Sequence, residues 1–263
     1  MSSLSNEPFK SQELEKKDNR SRLKKFIDIY TDKFTNIVLL NLMSIILNLP
    51  AILIAFFFSS YFFTNDKELL SLNYYIGYIT ISLLVCVPIV TVGPFQAGFT
   101  YILRNFAREE HAFILSDFVK QSKKNWKQSL MVSLIDIAIT AVLLYELNFF
   151  RAQTSIIGIA VYCLVLLEFV FFSIMHMYIY QIMVTINLTV LQVYKNAFIL
   201  TIINFIKNFF VYLLCLGLII LLSIFLPVGI LGFAFLSSAT IGLIINYHAH
   251  TAVKKYLIDP TNT

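Results

Sequence analysis

Two carboxylates, Asp136 and Glu168, stand inside runs of otherwise apolar residues. An ionisable group in hydrocarbon is costly, so it ordinarily faces a partner, a cavity or an ion path. Asp136 falls about seven residues into its run and Glu168 about thirteen into the next, or ~10 Å and ~20 Å along antiparallel helices. Counted from one side of a hydrocarbon layer of ~30 Å, the two depths agree. Side by side, the two groups would share a proton, because both cannot ionise cheaply in low dielectric. Asn41, Thr91, Gln96 and Asn246 reach the same level and would line a polar pocket open to the cytoplasm. The competing reading is that each bonds a neighbouring helix as an ordinary packing device. Pro88, Gly93 and Pro94 interrupt a helix nearby and free backbone groups that hydrocarbon cannot satisfy. Such breaks line substrate sites in transporters, and they also occur merely where a span ends and the chain turns.

Other chemistry is scarce. The sequence has no GxxxxGK[ST] phosphate loop, HExxH pair, nucleophile elbow, CxxC pair or dinucleotide fingerprint. We therefore expect no enzyme, no metal and no cofactor. His248 and His250 form an HxH, but residues two apart on a helix point nearly 200° from one another. His111 falls in a loop, and His176 falls near the inner end of a span, where an interfacial imidazole is expected. Cys86, Cys163 and Cys215 lie in apolar runs, where a thiol acts as a small hydrophobe.

The elements that must position these groups follow from composition. Of 263 residues, 58% are apolar and 13% charged, against about 45–50% and about 25% in soluble domains. Too few polar side chains remain to cover a water-soluble surface, so the fold class is an all-α polytopic membrane bundle. Hydropathy predicts six spans near 35–62, 74–93, 129–149, 155–178, 209–226 and 229–247. Pro50 should kink the first, and Pro227-Val228-Gly229 should turn the last two into a hairpin. Segments 179–208 and 248–257 read as helical extensions, residues 1–19 as a disordered tail, 20–257 as one membrane domain and 258–263 as a closing tail.

Lysine and arginine fall 18 to 2 on alternate sides of these spans. That asymmetry predicts both termini in the cytoplasm and accounts for the net charge of +5 without nucleic acid. No signal peptide is read at the N-terminus. Leu23, Phe26, Ile27, Tyr30 and Phe34 recur at helical spacing among basic residues, as in a helix lying on an anionic inner leaflet. A second such helix is predicted after Ser116 as N-cap, with Phe118, Val119, Ser122 and Trp126 on one face and Lys120, Lys123, Lys124 and Lys127 on another. Together with Arg104 and Arg108 it offers a membrane anchor or a docking surface.

The stretch PIVTVGPFQAGFTYILRNFAREEHAFILSDFVKQSKKNWKQS, Pro88 to Ser129, resembles the signature region of the YesL family of bacterial membrane proteins, also called the domain of unknown function 624. GP-x2-AG-x2-Y-x2-R at Gly93 to Arg104 and Arg108-Glu109 come in the family's order, with similar segments at Asn41 to Pro50 and at Tyr194. The resemblance implies a small multi-helix membrane protein of mainly Gram-positive bacteria, linked with carbohydrate uptake, and supplies no activity. An accessory or scaffold component docking on a permease or ATPase is the leading expectation. The alternative is a small proton-coupled secondary transporter using Asp136 and Glu168.

Overall fold

The computed structural model describes residues 20–63, 70–224 and 226–258; the expected tail at 1–19 and residues 64–69, 225 and 259–263 lie outside them. The chain opens with α1 (Arg22–Asp32), α2 (Phe34–Leu47), α3 (Leu49–Phe63), α4 (Leu70–Cys86), α5 (Gly93–Ala107) and α6 (Ile114–Lys124). It continues with α7 (Trp126–Arg151), α8 (Ile156–Thr185), α9 (Val190–Ile203), α10 (Phe205–Ser223), α11 (Leu226–Gly232) and α12 (Ser238–Val253). Five-residue π-helical segments, Phe233–Ser237 and Lys254–Ile258, flank α12. No strand occurs among the described residues.

Among the described residues four helices are long and apolar enough to cross a membrane: α7, α8, α10 and the continuous run Gly229–Ile258. A fifth is available only as a bent pair, because α2 and α3 meet at 68°. Of the six spans expected, four, or five with the bent pair, are matched among the described residues. Pro50 lacks the N–H that would continue the ladder of α2, and the break falls at Asn48, two residues earlier. The run at 74–93 stops at Cys86 and stays non-helical to Val92; Gly93 and Pro94 begin the next helix instead of ending this one. Pro227 likewise lies in the first turn of α11, so Pro227 to Gly229 do not form the turn after α10.

The extension expected at 179–208 is also interrupted. Ile186 is extended, and α9 starts afresh on a capping box in which Thr189 and Gln192 satisfy one another's backbone N–H groups. Asn125 and Asn204 are single-residue joints into α7 and α10. The helix expected after Ser116 begins earlier, with Phe113 as N-cap, and the Asp117 carboxylate accepts the Phe113 N–H at 2.9 Å.

At the centre stands α5, where only Tyr101 is partly exposed between Gln96 and Ala107. Gly93 and Gly98 allow this. A Cβ at Gly93 would overlap the Ser129 carbonyl of α7, and one at Gly98 would overlap Ser122 and the Phe118 carbonyl of α6. One apolar core joins α3, α4, α7, α8, α9, α10 and α12, and a smaller one joins α1, α2, α5 and α6 to the start of α12. Outward, Leu167, Leu164, Leu221 and Ile206 are exposed on α8 and α10, as expected of surfaces facing lipid. Helix α1 runs antiparallel along α12: Tyr247 donates to the Arg22 carbonyl at 2.9 Å, and Tyr30 and Thr240 hydroxyls meet at 3.2 Å.

Candidate functional site

Polar side chains on one stripe of α7, Ser129, Ser133, Asp136 and Thr140, are all buried. Opposite them α8 carries Ser173, His176, Tyr180 and Gln181, also buried. Asp136 has no exposed surface. Its Oδ1 accepts the Tyr194 hydroxyl of α9 at 2.5 Å and lies 3.1 Å from His176 Nε2. Glu168 does not take part: it is exposed on α8, two turns before His176. The carboxylate pair expected from equal depth is thus replaced by a carboxylate, an imidazole and a phenol. Depth alone could not tell the two faces of α8 apart.

The imidazole is fixed by a second contact. His176 Nδ1 lies 2.8 Å from the Phe172 carbonyl, which can only accept, so Nδ1 carries a proton. Nε2 then bears a second proton only as imidazolium. Without it, a lone pair on Nε2 stands beside carboxylate Oδ1, and the contact is repulsive unless the acid itself is protonated. One shared proton therefore belongs to the favourable states of this pair. Asp136 Oδ2 and His176 Nε2 have no directed hydrogen bond of their own.

Beside this pair the chain is broken twice. Asn48, at the joint of α2 and α3, accepts the Val92 N–H at 2.9 Å in the non-helical link between α4 and α5. The Thr91 carbonyl in that link accepts the Ser133 hydroxyl, and the Thr91 hydroxyl meets Tyr180 at 3.0 Å. Pro88 from the link, with Gln96, His176, Tyr180, Gln181 and Asn246, helps to line a cavity of about 10 Å³. That is room for about one water. Both polar atoms of the Gln181 side chain and Oδ1 of Asn246 point into the interior without a partner.

Of the four residues expected to share a pocket, Gln96 and Asn246 line this cavity, and Asn41 and Thr91 do not. The cavity is small and internal rather than open to one side. Asn41 instead clamps the π segment before α12. Its Nδ2 donates to the carbonyls of Phe233 and Ala234, each at 2.8 Å, and its Oδ1 accepts the Ala239 N–H at 2.8 Å. The wider π turn shifts the backbone ladder and leaves such groups spare.

The docking set divides as well. Arg104 is buried: it donates to the Val184 carbonyl at 2.7 Å and to Thr185 at 3.2 Å, closing the C-terminus of α8. Phe118 is buried against Phe95. Arg108 pairs with Glu110 at 2.6 Å. Lys123, Lys124, Lys127 and Trp126 remain exposed, and so does Val119, which does not share the buried face of Phe118 and Ser122. His248 bonds Asn208 of α10 at 2.7 Å, while His250 belongs to a different hollow beside Arg108 and Glu110.

Sequence reasoning set His176 aside as an interfacial imidazole, and missed the roles of Tyr194, Tyr180, Gln181 and Asn48. A signal existed on α8, where Ser173, His176 and Tyr180 recur at helical spacing in an apolar run.

A helical bundle with helices apolar enough to cross a bilayer and a buried polar centre defines the class of a polytopic membrane protein. Residues 37–147 match the family described as "Protein of unknown function, DUF624". The match takes in Asn48, the broken link, α5 and Asp136, and ends before His176 and Tyr194. No curated protein and no solved structure matches the chain.

Proposed function

We propose that the protein is a small proton-coupled secondary transporter, with the proton held between Asp136 and His176. The observation that carries this reading is the 3.1 Å approach of His176 Nε2 to a carboxylate with no exposed surface, while Nδ1 is committed to a carbonyl. Ionisable groups inside apolar bundles are the usual parts of proton relays. Interrupted helices that meet at the same place, here at Asn48 and Val92, are the usual setting of a transporter's binding site. With room for about one water, the centre corresponds to an occluded state that opens when the helices around the cavity part.

The topology that goes with this reading has six crossings. The bent pair α2 and α3 makes one, and α4, about 25 Å long over its 17 residues, makes a short one. Both termini face the cytoplasm, in line with the lysine and arginine asymmetry, and the basic faces of α1 and α6 meet anionic headgroups. The test is reconstitution in liposomes holding a pH-sensitive dye, with a panel of sugars supplied outside. Solute-dependent acidification that disappears in Asp136→Asn supports the proposal. Absence of flux for every sugar, or full flux in Asp136→Asn, overturns it.

A second reading is favoured by a different observation, the exposure of Trp126 beside Lys123, Lys124 and Lys127. It makes the protein an accessory or scaffold of a carbohydrate uptake system in the plasma membrane of a Gram-positive bacterium, as the likeness to YesL proteins suggests. Residues Ala107 to Gln128 would then dock on a permease or ATPase subunit. Crosslinks from this segment onto such a subunit, lost when Lys123, Lys124 and Lys127 become Glu, support it; links to copies of this chain alone count against it.

A further inference from the structure

Two hollows lie side by side between α1, α10 and α12. The first, of about 330 Å³, includes Arg22, Asn204, Lys207, His248 and Lys255 in its wall. The second, of about 630 Å³, is walled by Leu23, Phe26, Ile27, Tyr30, Leu214 and Leu218, with Ile244 on the α12 side. They share Arg22, Val211 and His248, so they form one groove with a polar and an apolar end.

The stripes that build the groove are regular. On α10 the wall residues are 207, 210, 211, 214 and 218, and on the last helix they are 240, 244, 247, 248, 251, 252, 255 and 256. Each set recurs at three and four residues, one face of a helix. From Lys207 to Leu218 the groove extends about 16 Å. Three cations from three separate helical segments converge at one end, and no carboxylate among the described residues lines either hollow. Arg22 is anchored there by a 3.0 Å bond to Thr251, while Lys207 and Lys255 are exposed. The apolar end opens beside Leu213 and Leu221, which are also exposed.

We infer that this groove is a binding site for one anionic phospholipid. The headgroup phosphate sits among Arg22, Lys207 and Lys255, and an acyl chain lies along α10 beneath α1. Charge complementarity selects the occupant: three cations without a counter-charge demand an anion, and the adjoining apolar trough demands a hydrocarbon chain covalently attached to it. The site is separate from the Asp136 centre and does not depend on transport.

Native mass spectrometry of the full chain in detergent tests this, with phosphatidylglycerol or phosphatidylcholine of equal chain length added. The native chain should retain phosphatidylglycerol in preference. Arg22→Gln, Lys207→Gln and Lys255→Gln should each weaken its retention about fivefold, with phosphatidylcholine unaffected. Lys195→Gln on α9, an exposed lysine that lines neither hollow, should leave both lipids unchanged, and Leu218→Trp, which fills the trough, should weaken both. Equal retention of the two lipids by the native chain, full retention of phosphatidylglycerol in the Arg22, Lys207 and Lys255 variants, or its displacement by millimolar inorganic phosphate would each overturn the assignment.

Discussion

Asn48 and Val92 join two interrupted helices through a single hydrogen bond, the amide N–H of Val92 donating to Asn48 Oδ1 at 2.9 Å. Asn48 is buried and also ends α2, so one side chain serves both breaks. Replacing it with Ala leaves the Val92 N–H without its acceptor in a partly buried place. We expect a loss of about 1–3 kcal/mol, read as a lower unfolding midpoint in detergent. An unchanged midpoint would mean that water takes the place of Oδ1.

Tyr194 supplies a directed donor to Asp136, at 2.5 Å. Tyr194→Phe and Asp136→Asn should therefore not add. The double variant should differ from the sum of the single ones by about 0.5–3 kcal/mol, measured by reversible unfolding in mixed micelles. Simple additivity would show that the contact carries no stabilisation of its own.

Most of the chain's helices were legible because apolar run length is a local property. The runs at 129–149, 155–178 and 209–226 correspond to α7, α8 and α10 within a few residues, except that α8 runs on to Thr185. Rotation about the helix axis was not legible in the same way. Along α8 apolar residues surround the helix, so only the spacing of Ser173, His176 and Tyr180 hinted at the inward face, and nothing marked Glu168 as outward. The stop at Ile186 lacks proline or glycine, and only the Thr189-x-x-Gln192 pattern hinted that a new helix begins there. Asn41 lay at the expected depth, yet its role as a backbone clamp depends on a π segment 192 residues away, which no local pattern announces.

Arg104 closes the end of α8 with a charged donor in a largely buried setting. Arg104→Met should fray that end, costing about 1.5–3 kcal/mol for the charged hydrogen bond. Hydrogen exchange should quicken at Thr185 and Ile186 and stay slow at the middle of the helix. Uniform acceleration along α8 would contradict a local capping role.

Glu109 sits in the turn after α5 with φ of 56°, between Lys25 at 2.6 Å and Arg20 at 2.8 Å. The Lys25 ammonium, followed by the Arg20 guanidinium, holds its carboxyl below the ordinary 4.5. A depressed carboxyl stabilises the fold fully above its unfolded value, and the contribution fades as pH falls through the lower folded one. About a third of the side chain is exposed, so screening limits the effect to less than ~1 kcal/mol. Stability curves of the native chain and Glu109→Gln should separate at neutral pH and converge in acid; parallel curves would refute the linkage.

The π segment at Phe233–Ser237 sets the rotational phase of everything after it. Rewinding the same five residues as an ordinary α-helix, with none removed, would turn the rest of the last helix by roughly 100° relative to what precedes it. Asn246 would leave the central cavity, His248 would leave Asn208, and Arg22 would lose Thr251, all from one narrowed turn. The last helix should thus accept many changes of side chain while depending on this one wide turn for its phase, and Asn41 is the residue that holds the turn open.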